Sequence, residues 1–141
     1  MKVATETLRG RALDHAAAQA MKLRLFESED GVMIVVRDRN GMAQVLSGGS
    51  ALDIVRHGLW RPSEDWGQAG PAIARERIGI WWHVDGWMAT MELTGTQGFG
   101  KTHLEAAMRC LVTQKLGHEV EVPDRLCEGL KSSAPRKRSL R

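Results

Sequence analysis

Two segments of the chain carry apolar residues at helical spacing. In the first segment the apolar positions recur at i, i+3, i+4 and i+7, and they are Leu13, Ala16, Ala17 and Ala20. Thr7 is a candidate N-cap for this helix, and the pattern fades near Leu25. The predicted core face is narrow and rich in alanine, so a neighbouring element can approach the helix axis closely.

The second helical segment has a clearer start and end. Thr102, with Glu105 three residues later, forms a capping box. Gly117 is expected to end the helix, because glycine readily adopts the backbone conformation of a C-terminal cap. The apolar stripe between these signals consists of Leu104, Ala107, Met108, Leu111 and the stem of Lys115.

Two β-hairpins are predicted from apolar, β-branched strands on either side of turn dipeptides. Asn40-Gly41 and Asp85-Gly86 both tolerate the positive φ angles of a tight turn. The strand pairs that they join are residues 32–37 with 42–46, and residues 78–84 with 87–93.

Shorter elements fill the remaining parts of the chain. Residues 51–57 predict a short helix, while Ser63 and Pro71 mark the starts of two further short helices. Residues 119–122 predict a last edge strand. Helices interspersed with antiparallel hairpins are typical of an α+β domain.

The charge of the chain is unevenly distributed. The 141 residues carry a formal net charge of +3, yet the last eleven residues contain no acid and five of the 20 basic residues, namely Lys131, Arg136, Lys137, Arg138 and Arg141. The other 15 basic residues face 17 acidic ones, so the rest of the chain is mildly acidic. Because the tail has a single leucine and no aromatic residue, residues 131–141 are predicted to be disordered. Residues 1–130 are predicted to form a single α+β domain.

The composition excludes several classes of protein. Hydrophobic residues at 43% and charged residues at 26% are near the globular average. No apolar run is long enough to span a membrane, and charged residues interrupt the segment where a signal peptide would lie. We therefore expect a cytoplasmic protein with Cys110 and Cys127 as free thiols. Scattered histidines without metal-ligand spacing predict no metal and no cofactor.

Residues 95–102, GTQGFGKT, match the phosphate-binding pattern G-x-x-x-x-G-K-[ST]. A genuine P-loop belongs to a parallel sheet of several βα units, whereas the flanking strands here are predicted hairpins. The favoured interpretation is a glycine-rich link with Thr102 as helix cap. Nucleotide binding at Gly95–Thr102 is a remote alternative, and no enzyme activity is predicted.

The tryptophans are confined to a short stretch: Trp60, Trp66, Trp81, Trp82 and Trp87. Trp81 and Trp82 are adjacent on a predicted strand, so they must point to opposite faces of its sheet. Packing in the core is the favoured interpretation of the five side chains. The alternative is a platform that stacks nucleic-acid bases or anchors a protein partner.

Three blocks of sequence carry a resemblance to a known family. They are GRALD from Gly10, PSEDWGQAGPAIARE from Pro62, and AAMRC, KLG and EVEVP between residues 106 and 123. The sequences of these blocks and their order along the chain resemble the NinX-like family, small phage and prophage proteins from the nin region of lambdoid phages. The resemblance implies a gene expressed in a bacterial cytoplasm, and it implies no established biochemical activity.

The chain also departs from the pattern of that family. His15 stands where the family has an aromatic residue, residues 26–58 form a longer middle segment, and the basic tail is an addition. The family lacks the Lys-Thr pair at the start of the last helix, which makes the P-loop match look accidental.

The polar residues that match the family are candidates for a shared partner-binding site: Asp14, Asp65, Gln68 and Arg109, together with Trp66. Arg109 lies opposite the apolar stripe of its helix and is expected to be exposed. The alternative is that the four polar side chains stabilise local structure, as a helix-terminal charge or as bonds between loops and helices.

Two hypotheses for the function follow from these observations. In the first, the chain is a non-enzymatic phage accessory protein that binds another protein, or a second copy of itself, through Asp65-Trp66 and neighbouring tryptophans. In the second, the tail residues and exposed tryptophans bind nucleic acid. The first predicts association that tolerates salt, and the second predicts binding that weakens steeply with salt.

Overall fold

The computed structural model describes residues 1–27, 33–36, 60–127 and 130. Within them are three α-helices: α1 (Gly10–Ala20), α2 (Trp66–Glu76) and α3 (His103–Leu116). The seven strands are β1 (Lys2–Ala4), β2 (Arg24–Glu27), β3 (Met33–Val36), β4 (Ile78–His83), β5 (Gly86–Met91), β6 (Gln97–Gly100) and β7 (Glu119–Glu121). The predicted strand at 42–46, the helix at 51–57 and the tail at 131–141 lie outside the described residues.

The strands form antiparallel sheets. β1 pairs with β7, β2 pairs with β3, and the largest sheet has the order β4-β5-β6. Short 3-10 turns at Thr5–Thr7 and Asp124–Leu126 follow β1 and β7. Helices packed against antiparallel strands confirm the predicted single-domain α+β class.

Helix α3 lies at the centre of the core, between α1 and the three-stranded sheet. Its buried residues include Leu104, Met108 and Leu111, as the stripe predicts. On the sheet side, a Cβ on Gly98 would lie 2.4 Å from the carbonyl oxygen of Ala106. The sheet therefore contacts the main chain of α3 directly, and only glycine fits at that position. On the other side, the alanines of α1 are buried, as the alanine-rich pattern predicts.

The boundaries of α1 differ from the prediction at both ends. Thr7 lies in the preceding 3-10 turn, where its hydroxyl donates to the carbonyl of Ala4, so it is not the cap of α1. The helix begins at Gly10 and ends at Ala20, and Lys22 then has a φ of 60°. The chain continues into β2, whose partner is β3. The apolar pattern up to Leu25, interpreted as one helix, therefore belongs to a helix and to the strand that follows it.

The two short helices predicted after Trp60 are a single helix, α2. Asp65 is its N-cap and accepts a hydrogen bond from the backbone N–H of Gly67, so Ser63 is not the cap. Pro71 lies inside the helix, where its missing N–H leaves the carbonyl of Gly67 without its usual partner. Gly67 and Pro71 are both exposed, so water can hydrate the Gly67 carbonyl.

The hairpin of β4 and β5 is confirmed, but its turn is shifted by one residue. His83 pairs with Gly86, so the two turn residues are Val84 and Asp85. Val84 has a φ of 60°, which is costly for a β-branched residue. Gly86 is needed for a different reason, because a Cβ there would lie 2.7 Å from the Phe99 ring.

The Thr102 cap of α3 is confirmed, and the return bond of the predicted capping box goes to the residue before the cap. The hydroxyl of Thr102 accepts from the backbone N–H of Glu105 at 3.1 Å, and the Glu105 carboxylate accepts from the N–H of Lys101 at 2.8 Å. Gly117 ends the helix with a φ of 100°. The predicted edge strand is β7, which pairs with the N-terminal strand.

Candidate protein-interaction surface

Four aromatic rings make consecutive contacts across the β4-β5 hairpin and the starts of two helices. The centroids of Trp66 and His103 lie 5.7 Å apart, those of His103 and Trp87 lie 3.7 Å apart in a stacked arrangement, and those of Trp87 and Trp82 lie 5.3 Å apart edge to face. We call this set the aromatic row. The separations of the two outer pairs lie in the range that is favourable for aromatic rings.

Each member of the aromatic row is positioned by a local feature of its element. Trp66 is the first residue of α2 behind its Asp65 cap, and His103 is the first residue of α3 behind its Thr102 cap. Trp82 and Trp87 are directly opposite each other in the β4-β5 ladder. The two caps and the hairpin register fix each ring on its own element, and the packing of α2 and α3 against the sheet brings the four rings together.

The two ends of the aromatic row are open to solvent. Trp66 is 53% exposed and Trp82 is 56% exposed, whereas His103 and Trp87 between them are partly buried. Beside the Trp66 end is a hollow of about 280 Å³ whose lining includes Glu64, Thr102 and His103. The row thus has rigid, partly supported rings with faces available to a partner.

The opposite face of the same sheet exposes further large apolar side chains. Trp81 is 43% exposed, and Phe99 on β6 is also exposed. The Phe99 ring covers Gly86 and lies edge to face with His83, with 6.4 Å between the centroids. Packing in the core, the favoured interpretation of the tryptophans, therefore holds for Trp60 at 3% exposure but is wrong for Trp66, Trp81 and Trp82.

The polar residues proposed for a shared site contact the protein's own main chain. Asp14 is buried in α1, where its Oδ1 accepts from the backbone N–H of Ser63 at 2.8 Å and its carbonyl accepts from the indole N–H of Trp60 at 2.7 Å. Burial raises the pKa of the Asp14 carboxyl to about 6, and the bond from Ser63 offsets part of that effect. Asp14 therefore holds the turn that leads into α2.

Gln68 acts on the same turn, since its Oε1 accepts from the N–H of Arg61 at 2.7 Å. Asp65 caps α2 beside it. The structure thus brings Asp14, Asp65 and Gln68 to the segment that carries Trp66. These contacts agree with the alternative that the polar side chains stabilise local structure. Trp66 is the exposed member of the group.

Arg109 is in a different part of the molecule, and the expectation that it is exposed is wrong. Its side chain is only 13% exposed. The guanidinium Nε donates to the carbonyl of Leu8 and Nη1 donates to the carbonyl of Phe99, both at 2.7 Å, and the Glu105 carboxylate lies 3.5 Å away. Arg109 therefore joins the N-terminal segment to the edge of β6.

The glycine-rich motif at residues 95–102 is largely a paired strand. Gly98 and Gly100 lie opposite Ala89 and Trp87 of β5. A Cβ on Gly100 would lie 2.7 Å from the backbone nitrogen of Ala106, so α3 covers this strand closely. Thr102 serves as the cap of α3, as the favoured interpretation predicts. A strand enclosed between β5 and α3 does not have the open amide cradle of a phosphate-binding loop.

The cysteines and potential metal ligands add no reactive group to this surface. Cys110 is buried, its thiol donates to the carbonyl of Thr96 at 3.4 Å, and burial raises its pKa to about 11. A thiol with that pKa is not an activated nucleophile near neutral pH. The part of the chain that the structure describes has no cluster of three His, Cys, Asp or Glu residues that could hold a metal ion.

Comparison with known families identifies the relatives of this chain. Residues 4–115 match the family described as Bacteriophage P22, NinX. The match spans well over half of the chain, so the chain belongs to the NinX family of phage proteins and the resemblance of the three sequence blocks is confirmed. No curated protein matches it. Among the described residues, no helix is long and apolar enough to cross a membrane.

The aromatic row was not predicted as a unit from the sequence. One signal for it was available: a two-residue turn at Val84-Asp85 places Trp82 opposite Trp87. The Asp85-Gly86 dipeptide instead favoured a turn one residue later. In that register Trp82 and Trp87 are not opposite each other. The contacts of His103 with Trp66 and Trp87 depend on the packing of α2 and α3, for which the sequence has no local signal.

Proposed function

We propose that this phage-encoded accessory protein acts by binding another protein, without catalysis, through the aromatic row. The observation that supports the proposal is the exposure of Trp66 and Trp82 at the two ends of four contacting rings. The expected setting is the cytoplasm of the bacterial host. Asp14, Asp65 and Gln68 contribute by holding the segment that presents Trp66.

The energetics of tryptophan favour this use of the row. A tryptophan already held by neighbouring rings loses little conformational freedom when a partner covers it, and it offers a large area for contact. Tryptophan is for this reason enriched among the residues that dominate binding energy at protein interfaces. Replacing one such residue with alanine typically costs about 2 kcal/mol or more of binding free energy, roughly thirtyfold in Kd.

The charge beside the row favours a protein over a nucleic acid. Surfaces that stack bases combine aromatic rings with lysine and arginine along the phosphate backbone. The hollow beside Trp66 and His103 is lined by Glu64, with no lysine or arginine among its lining residues. A carboxylate at that place repels phosphate, and it is compatible with the polar rim of a protein interface.

Nucleic-acid binding is the competing proposal, and it depends on the basic tail residues outside the described part of the chain. The experiment that separates the two is a comparison of full-length protein with a chain truncated after Leu130, both titrated with single- and double-stranded oligonucleotides while tryptophan fluorescence is recorded. Quenching that is lost on truncation and weakened by salt would support nucleic acid and contradict the protein-binding proposal.

The direct test uses proteins from phage-infected bacteria. Immobilised wild-type protein, Trp66→Ala and Trp82→Ala are compared with Leu93→Ala, a control that removes an exposed leucine from the turn after β5. A host or phage protein should be retained at high salt by the wild type and the control, and lost with both tryptophan variants. The retained protein is then purified and titrated with the same four proteins. If no protein depends on the row, or the purified protein does not bind, the proposal is wrong.

A further inference from the structure

Strand β4 is an outer strand of its sheet, and one set of its backbone groups points away from β5. His83 and Gly86 close a two-residue turn, and such a closing pair exchanges both of its hydrogen bonds. The alternation along an antiparallel pair then directs the N–H and C=O groups of Gly79 and Trp81 to β5. The corresponding groups of Ile80 and Trp82 face outward.

No described element satisfies these outward groups. The hydrogen bonds between different elements of the described chain include none from the backbone of Ile80 or Trp82. At the other edge of the sheet, by contrast, the outward carbonyl of Phe99 accepts from Arg109. The outer edge of β4 is therefore able to pair with another strand.

The sequence of β4 also lacks the features that usually prevent such pairing. Its six residues, IGIWWH, contain no Lys, Arg, Asp, Glu or Pro. Proteins commonly protect an outer strand with a charged residue or a proline, because an unprotected apolar edge pairs with other chains. An uncharged edge with exposed Trp81 and Trp82 is expected to be covered.

We propose that the occupant is the β4 strand of a second copy of this chain, paired antiparallel about a two-fold axis at Trp81. The outward groups restrict the register, because Ile80 and Trp82 can pair only with residues whose groups also face outward. With Trp81 opposite Trp81 of the second copy, Ile80 pairs with Trp82 of that copy. The two sheets then form one continuous sheet of six strands.

Charge complementarity selects this register. Arg77 precedes β4 and Asp85 follows it, and both side chains are exposed. Among the described residues, neither side chain forms an ion pair. With Trp81 on the axis, Arg77 before β4 in each copy lies at the same end of the strand pair as the Val84-Asp85 turn of the other, which brings the two opposite charges together. A shift by two residues in either direction changes this alignment, so the register with Trp81 on the axis is the one that brings the opposite charges together.

The dimer shares Trp82 with the proposed protein partner, so a partner that binds the whole aromatic row competes with the second copy. The dimer covers Trp82, at one end of the aromatic row, with Ile80 of the second copy, and it leaves Trp66 at the other end available. A failure of the dimer would therefore leave binding through Trp66 to be tested by itself. Conversely, Trp66→Ala is expected to leave the dimer unchanged.

The test begins with sedimentation of full-length protein over a range of concentrations. The mass of one chain is 15.6 kDa, and the proposal predicts a concentration-dependent species of twice that mass. Arg77→Asp and Asp85→Arg should each raise the dimer dissociation constant about tenfold, since two favourable pairs become like-charge pairs. The double variant, with the two charges exchanged, should regain the wild-type constant. Wild-type protein that sediments as a monomer throughout would overturn the proposal.

Cysteine cross-linking tests the register. Residues directly opposite at a non-hydrogen-bonded position have Cα atoms about 4.5 Å apart, within the range of a disulfide. Trp81→Cys should therefore form a disulfide-linked dimer under mild oxidation, and Trp82→Cys, which is displaced along the strand from its own copy, should not. The native Cys110 and Cys127 are buried and do not compete. Circular dichroism verifies that each variant is folded, and cross-linking at position 82 instead of 81 would overturn the proposed pairing.

Discussion

The two edges of the three-stranded sheet have opposite relations to the rest of the molecule. At the β6 edge, the Phe99 carbonyl accepts from Arg109, and Gly98 lies directly against the main chain of α3. At the β4 edge, Trp81 and Trp82 are exposed and the outward groups of the strand have no described partner. One edge is bonded to a helix of the molecule, and the other has no described partner.

The comparison separates residues that stabilise the fold from residues that are exposed to a partner. The charged residues Asp14 and Arg109, which match the family pattern, bond to main-chain atoms of the protein itself. The rings of Trp66 and Trp82, like those of Trp81 and Phe99, are exposed to solvent. A partner site in this protein is therefore to be sought among aromatic residues of α2 and β4 before the buried polar ones.

The largest expected effect compares a glycine in each outer strand. Gly98→Ala places a methyl group 2.4 Å from the Ala106 carbonyl oxygen and the Cys110 nitrogen, and neither main-chain atom can move without displacing α3. We expect a loss of about 4 kcal/mol or more in the free energy of unfolding. Gly79→Ala in β4, whose Cβ would have 4.0 Å to its nearest neighbour, is the matched control and should be nearly neutral. Similar denaturation midpoints for the two variants would contradict the contrast between the edges.

The next effect concerns the side chain that closes the β6 edge. Arg109→Leu removes two hydrogen bonds and leaves the carbonyls of Leu8 and Phe99 without those donors. We expect a loss of about 3 kcal/mol by urea denaturation, because each bond involves a charged donor. Arg109→Lys keeps the charge but reaches only one carbonyl at a time, so its loss should be intermediate. An Arg109→Leu protein as stable as wild type would show that this edge is closed by other contacts.

A smaller effect is expected at Asp14, which holds the turn before α2 and hence the approach to β4. Burial raises its pKa from 3.8 to about 6, while Glu64 acts in the same direction and Arg61 opposes it. The protonated form is therefore favoured by folding, so the stability contributed by this group is present below pH 4 and is lost as the pH rises through 6.

Replacing Asp14 with asparagine should remove this pH dependence. The amide oxygen of Asp14→Asn can still accept from Ser63, and it carries no charge to bury. We expect the variant to be about 2 kcal/mol more stable than wild type at pH 8 and nearly equal to it at pH 4. Thermal unfolding of both proteins across this pH range checks the prediction, and a constant difference at all pH values would contradict it.

The smallest expected effect is at the turn beside the open edge. Val84 has a φ of 60° and is exposed, so its side chain contributes strain and little burial. Val84→Gly should therefore raise the free energy of unfolding by about 1 kcal/mol. Val84→Ala keeps a Cβ at the same backbone conformation, so its gain in the free energy of unfolding should be smaller than that of Val84→Gly. Destabilisation by Val84→Gly would mean that the valine side chain makes a contact that outweighs the strain.

Local signals were sufficient for several elements of the fold. The capping box at Thr102 and Glu105, the apolar stripe and Gly117 predict α3, since all of them depend on neighbours within one helix. The strands on either side of residues 84–86 likewise predict the β4-β5 hairpin. Where two local signals were adjacent without a strong break, as between Ala20 and Leu25, the boundary was misplaced.

The candidate surface was predicted only in part. Trp66 was named as a contact residue because its segment matches the family, and it is exposed. Its partners in the aromatic row are far from it in the chain, so their contacts follow from packing. Arg109 shows the converse: its position opposite the apolar stripe predicted exposure, but Leu8 and Phe99 cover that side of α3.

The sequence by itself determined the α+β class, the central helix, one hairpin and membership of a phage family, because these depend on periodicity, turn chemistry and motif wording. Only the tertiary structure decided that the GTQGFGKT segment is a strand under α3, that Gly86 makes room for the Phe99 ring, and which tryptophans solvent reaches. The physical reason is that burial and close approach are set by the elements packed on the other side of a residue, and those elements are distant in the chain.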